Sequence, residues 1–220
     1  EWKDDPNFIG DLITMLDNVL EHFIENAIDT HKLGSYSVGY ERFKNYGKED
    51  KEGLIKAAYS AYRERAVGLG SMGFCSYLQR RGICFESMYA TSFNHRAFSH
   101  IKERAVAASN SLAEERGEAP DMVGSGRRNS HLLAIAPNAS SSIICGGTSP
   151  SIEPFRANTY THKTLTGSYK VKNKYLEAVL KKKGLNNEKT WKDIAAHEGS
   201  VQHIDELSEE EKEIFKTAPE

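Results

Sequence analysis

Apolar residues at Phe8, Ile9, Leu12, Ile13, Leu16, Val19, Leu20, Phe23, Ile24, Ala27 and Ile28 recur at three- and four-residue intervals, the period of one helix face. Asp5 is placed to cap that helix and Pro6 to occupy its first turn, where a missing N–H costs nothing. An amphipathic helix of this length must bury its stripe against other elements, so the chain is bound to a layered fold. Further helices are predicted over 51–65, with Leu54, Ile55, Ala58 and Tyr62 on one face, over Phe74–Arg80, and over Ser92–Arg116 with Gly117 as the terminating residue. The stretch His31–Asp50 reads as a surface connection. Asn129–Ala136 (NSHLLAIA) is a different kind of element, a short and mostly apolar run between turn formers that predicts a buried strand. Thr159–Asn173 predicts a hairpin turning at Thr166, Gly167 and Ser168, and Lys174–Lys183 a helix stopped by Gly184. Ser208 with Glu211 three residues on forms a capping box for a last helix running towards Pro219 and Glu220. Helices interspersed with isolated strands imply an α/β fold.

Charge and cysteine usage narrow the function classes. The 220 residues carry Lys+Arg 29 against Asp+Glu 31, a net −2, which gives no global field for nucleic acid or a membrane surface. No apolar run approaches the ~18 residues of a membrane span. Cys75, Cys84 and Cys145 are odd in number and form no C-x-x-C, a usage suited to a reducing compartment. With no export signal in view, a cytoplasmic location is expected. The first residue is Glu1 rather than Met, so the chain is expected to be a piece of something longer.

Several motifs invite a chemical reading. Gly68-Leu-Gly70-Ser-Met-Gly73 is a literal G-x-G-x-x-G with Glu86 near the place of a ribose-binding acid. Only Ala66 and Val67 separate Arg65 from Gly68, too little for the buried strand such a nicotinamide-cofactor site requires, and the glycines read instead as close-packing positions. His95 and His100 are five apart and do not share a helix face, and no zinc-type spacing exists, so no metal is expected. Asn138-Ala-Ser140 matches a glycosylation pattern by chance. Lys181, Lys182 and Lys183 at a helix end, and Glu209, Glu210 and Glu211 at a helix start, complement the helix dipole. Pro137, Asn138, Ala139, Ser140, Ser141 and Ser142 place small hydroxyl residues between an apolar run and a possible helix start. Free amides and hydroxyls there could hold a phosphate without a lysine, or simply form a multiply capped helix terminus.

The strings Arg63–Phe74 (RERAVGLGSMGF), Arg128–Ser142 (RNSHLLAIAPNASSS) and Gly146–Pro154 (GGTSPSIEP) together resemble the C-terminal half of the large (α) subunit of class I ribonucleotide reductase. Asp11–Leu20, Leu112–Gly117, Tyr160–Tyr175 and Gly199–His203 are similar to further family blocks in the same order, leaving only His31–Asp50 outside the likeness. The resemblance implies that residues 1–220 are a single segment, truncated at both ends, from the second half of a ten-stranded α/β barrel with long helices outside, which binds a ribonucleoside diphosphate and removes its 2′-hydroxyl through a thiyl radical. It assigns Pro137, Asn138, Ala139, Ser140, Ser141 and Ser142 to the substrate phosphates, with Asn138 standing where many members have Thr. The family's radical cysteine, its reducing pair and its Asn-x-Cys-x-Glu motif have no matching positions, so no catalytic residue and no cofactor are expected in this chain. Cys75, Cys84 and Cys145 are expected to be small buried hydrophobes, the first on a helix and the second on a strand-like stretch. The implied partners are the remainder of the large subunit, a radical-generating small subunit, and thioredoxin or glutaredoxin as dithiol reductant, with ATP and deoxynucleotide effectors bound elsewhere. The alternative from another class is a non-catalytic α/β binding or scaffold module related to that barrel.

Overall fold

The computed structural model describes residues 5–30, 53–165 and 167–220. The expected surface connection His31–Asp50, the first residues of the 51–65 helix and Thr166 of the hairpin turn lie outside them. The described residues form two compact units, one within Glu1–Leu69 and Ala97–Ala134, the other within Gly70–Arg96 and Ile135–Glu220.

In the first unit, α1 (Phe8–Thr30) packs its stripe against α2 (Gly53–Glu64) and the second part of α4 (Met88–Arg116). Ile9 and Ile13 meet Ala105, Leu112 and Leu132 in one cluster, while Ile24 meets Ala58 in another. Gly117, with φ 86°, ends α4 as its glycine predicts. Asn129–Ala136 corrects the buried-strand expectation. Its backbone runs parallel to residues 64–69: Ser130 N–H donates to Glu64, Val67 N–H to His131, Leu69 N–H to Leu132 and Ala134 N–H to Leu69. Pairing along one edge keeps Leu132 buried but leaves Leu133 and Ile135 exposed. An added Cβ at Gly68 would lie 2.8 Å from that of Ala134, so the first glycine of the run is there for this close approach.

In the second unit, α6 (Lys174–Lys182), α7 (Glu188–Ala196) and α8 (Glu209–Ile214) surround Leu176, Leu180, Trp191, Ile194, Val201, Ile204, Leu207 and Phe215. β1 (Thr159–Thr164) and β2 (Gly167–Lys172) pair antiparallel with His162 opposite Tyr169. Gly167 and Ser168, read as turn residues, belong to β2. Three side-chain amides are buried beside the helical core. Asn158 donates to the carbonyls of Gly199 and Phe215, Asn173 to Asn158 and to Gln79, and Gln79 to the Ile214 carbonyl. This closed network satisfies backbone groups that the loops would otherwise bury unpaired. The capping box at Ser208 forms as expected, but α8 stops at Ile214, short of Pro219. α7 had no counterpart in the sequence reading. Among the described residues the strands are this hairpin and the parallel bridge at Leu69 and Leu133.

Candidate functional site

Five of the six residues assigned to the phosphates surround the start of a short helix, α5 (Ala139–Ile144). Its first helical hydrogen bond runs from Ser142 N–H to the Asn138 carbonyl at 2.8 Å. The amides of Ala139, Ser140 and Ser141 precede that bond and have no intrahelical acceptor. Ala139, Ser140 and Ser141 are exposed, as is Pro137 ahead of them. Ser142 is buried and turns its hydroxyl back to the Ala139 carbonyl at 2.9 Å, so it shapes the turn. Asn138, the helix N-cap, makes no side-chain capping bond and donates instead to the Ala136 carbonyl at 3.1 Å. The exposed donor set is therefore three amides with the Ser140 and Ser141 hydroxyls, a combination suited to the oxygens of an anion.

What fixes this turn lies on its C-terminal side. Gly146 and Gly147 adopt left-handed φ values of 81° and 67°, and Thr148 N–H closes the turn onto the Ser142 carbonyl at 3.1 Å. The chain then locks onto α3 (Phe74–Arg80): Ser76 and Ser149 exchange reciprocal bonds between hydroxyl and amide at 2.8 and 3.0 Å, and Gly73 N–H donates to the Ser149 carbonyl at 2.9 Å. Gly73 has φ 85°, and a Cβ there would sit 2.5 Å from the Thr148 hydroxyl. The amides at the start of α3 thus already serve Ser149 and Ser151, which leaves no pyrophosphate cradle beneath the G-x-G-x-x-G run. Glu86, the would-be ribose acid, is exposed and faces Lys216 at 3.5 Å.

The cysteines divide three ways. Cys75 is buried in α3, where loss of solvation pushes its thiol up to about 11, the state of an inert core residue. Cys84 is half-buried in a turn rather than a strand and packs against the helical core. Cys145 corrects the expectation outright. It caps α5 and is exposed, because so short a helix buries only its Ser142 side.

A buried cluster of charge was not singled out in the sequence. Asp17 is wholly buried on the inner face of α1. Its carboxylate accepts from Arg65 Nε at 2.9 Å, Arg128 Nε at 2.8 Å and Asn129 Nδ2 at 3.0 Å, with Arg116 at 3.4 Å. Burial alone pushes this carboxyl up, but the hydrogen bonds and charges of Arg65 and Arg128 outweigh it and hold Asp17 below the usual range. Arg65 reaches it from a strained backbone, φ 47°, at the end of α2. The available signal was an acid on the buried face, four residues after Ile13 and three before Leu20.

Helices with a parallel bridge in one unit and a hairpin in the other define the class as an α/β protein, with an exposed amide-and-hydroxyl turn at the start of α5. Comparison with known proteins makes this specific: the family model described as "Ribonucleotide reductase, barrel domain" matches residues 19–125 and 120–220, and the chain belongs to that family. It is 43% identical to the ribonucleoside-diphosphate reductase large subunit of Invertebrate iridescent virus 3, over 100% of this chain and 32% of that protein. With the large subunit of Invertebrate iridescent virus 6 the identity is 41%, over 99% of this chain and 21% of the other. The solved class Id ribonucleotide reductase alpha subunit of Actinobacillus ureae aligns with a TM-score of 0.76 and 39% identity, covering 99% of this chain and 36% of that one. The chain spans about a third or less of the length of these curated relatives.

Proposed function

We propose that this chain is part of a ribonucleoside-diphosphate reductase large chain, contributing the second half of its ten-stranded α/β barrel and the loop that receives the substrate's diphosphate. The start of α5 carries the reading: three amides ahead of the first helical bond, with Ser140 and Ser141 exposed beside them. Donors of this kind bind phosphate oxygens and are blind to the base, so the loop anchors and orients any ribonucleoside diphosphate. Base selection falls to other residues. Within the proposal, Pro137 sets the entry to the turn, Ala139 gives an amide without side-chain bulk, and Asn138 and Ser142 hold its shape.

The chemistry of deoxygenation is assigned to the remainder of the large subunit: Cys75 is buried, Cys84 is packed against the core, and Cys145, though exposed at the C-terminal end of α5, stands like the other two outside the cysteine motifs of the family. A radical-generating small subunit and a dithiol reductant, thioredoxin or glutaredoxin, complete the proposed cytoplasmic assembly, with ATP and deoxynucleotides as effectors outside this chain. Mixing the chain with the remainder of a large subunit and a small subunit, in the presence of a ribonucleoside diphosphate and a dithiol reductant, then assaying deoxynucleotide formation, tests the reading. Product is expected only with all three components. A soluble, assembled complex that forms none overturns it in favour of a non-catalytic scaffold module.

A further inference from the structure

Asp193, His197 and His203 bring a carboxylate and two imidazoles together at the C-terminal end of α7. Asp193 and His197 are four apart on the helix and so share a face. Beyond them the chain doubles back. Glu198 and Gly199 take left-handed φ values of 57° and 87°, Gly199 N–H donates to the Ile194 carbonyl at 2.8 Å, and the fully buried Val201 pins the returning segment. His203 thereby comes to lie over the last turn of α7. Its ring stacks on that of His197 with centroids 3.7 Å apart and planes 21° from parallel. His203 Nε2 is 2.9 Å from Asp193 Oδ2, and His197 Nδ1 is 3.5 Å from Asp193 Oδ1 while donating to the Asp193 backbone carbonyl at 2.9 Å, a bond that metal binding would replace. One ligand atom from each residue lies within 4.8 Å of the others.

We infer that this cluster binds a divalent transition-metal cation, with Zn²⁺ the ion its donors suit best. Two imidazoles and a carboxylate are donors that Zn²⁺ takes at roughly 2.0–2.2 Å, which places neighbouring donors of a tetrahedron about 3.3–3.6 Å apart. The 3.5 Å separation falls on that edge, and the 2.9 Å one, to the other carboxylate oxygen, is a hydrogen bond that the cation would replace. The terminal torsion of histidine is broad, so the half-exposed His197 can turn its ring nitrogen towards a shared ion while the backbone stays in place. Imidazole donors also favour such ions over Mg²⁺ or Ca²⁺, which take oxygen. The bound cation clips the end of α7 to the segment after Gly199. Because only the folded turn brings His203 back, binding stabilises the fold. The sequence reading missed the cluster because the third ligand depends on the reversal at Glu198 and Gly199, which spacing alone does not reveal.

The test is calorimetric titration of the 220-residue chain with ZnCl₂ in a non-chelating buffer, repeated on His197→Ala and on His197→Ala with His203→Ala. His197 is half-exposed, so its variant is expected to keep the native circular dichroism spectrum. One Zn²⁺ per chain is expected, bound at least about tenfold more weakly by the single variant, in line with the scale of losing even outer-shell support. Zn²⁺ should raise the Tm of the wild type and leave that of the double variant unchanged. Co²⁺ should give tetrahedral absorption bands free of thiolate charge transfer. Equal Zn²⁺ affinity in wild type and double variant, or a thiolate band with Co²⁺, overturns the inference.

Discussion

Asp17 shows how much one residue can hold. Three arginines and an asparagine converge on a carboxylate with no solvent exposure, and the arginines bring residues 65, 116 and 128 to α1. Removing one partner of a buried ionic group costs about 3–5 kcal/mol because the remaining charges lose their counter-ion. Asp17→Asn is expected to destabilise the chain on that scale in urea denaturation. Its pH dependence follows from the direction of the shift. The folded-state pKa lies below the unfolded one, so the stabilisation is full above the unfolded value of about 4 and is lost as pH falls through the folded value. The variant should lack this acid limb, whereas an unchanged acid limb would show that another carboxylate governs it. Asp17 was visible in the sequence as an acid on an apolar stripe, but its partners are 48 to 112 positions away and no local pattern announces them. Cys145 was misread for a related reason, since burial at a chain position depends on which side of a short helix finds a neighbour.

At the scale of elements, glycines and caps carried most of the legible signal. Gly117, Gly184 and Ser208 mark their helix ends where expected, because capping is decided by the residues within one turn. The start of α5 was legible too, from small polar residues following an apolar run. The strand at Asn129–Ala136 was only half right: apolar content predicts extended backbone, but burial on both faces depends on which layers cover it. α7 went unread because its periodic apolar residues are few, Trp191 and Ile194 being the ones it buries. Gly199 ties this region together. A Cβ there would sit 2.5 Å from Ala157 Cβ and 2.9 Å from Asn158 N, at φ 87°. Gly199→Ala is expected to cost at least about 2 kcal/mol, combining the left-handed penalty with overpacking, read as a lowered denaturation midpoint at unchanged m-value. A midpoint within error of wild type would mean that the Ala157–Asn158 backbone yields freely.

For the whole molecule, family membership was legible because several motifs occur in one order, a stronger signal than any of them alone. Barrel closure was not, because strand partners need not lie within the 220 residues; the chain aligns with about a third of its viral and bacterial relatives. The start of α5 is proposed as a phosphate site within a larger reductase subunit. Its most direct measurement is the affinity of the assembled large subunit for a ribonucleoside diphosphate and for the corresponding nucleoside, in wild type and in Ser140→Ala with Ser141→Ala. The diphosphate should bind more weakly to the variant by about 1–3 kcal/mol, the scale of losing hydrogen bonds to a charged group, while the nucleoside binds equally to both. Equal diphosphate affinity in wild type and variant would contradict the assignment.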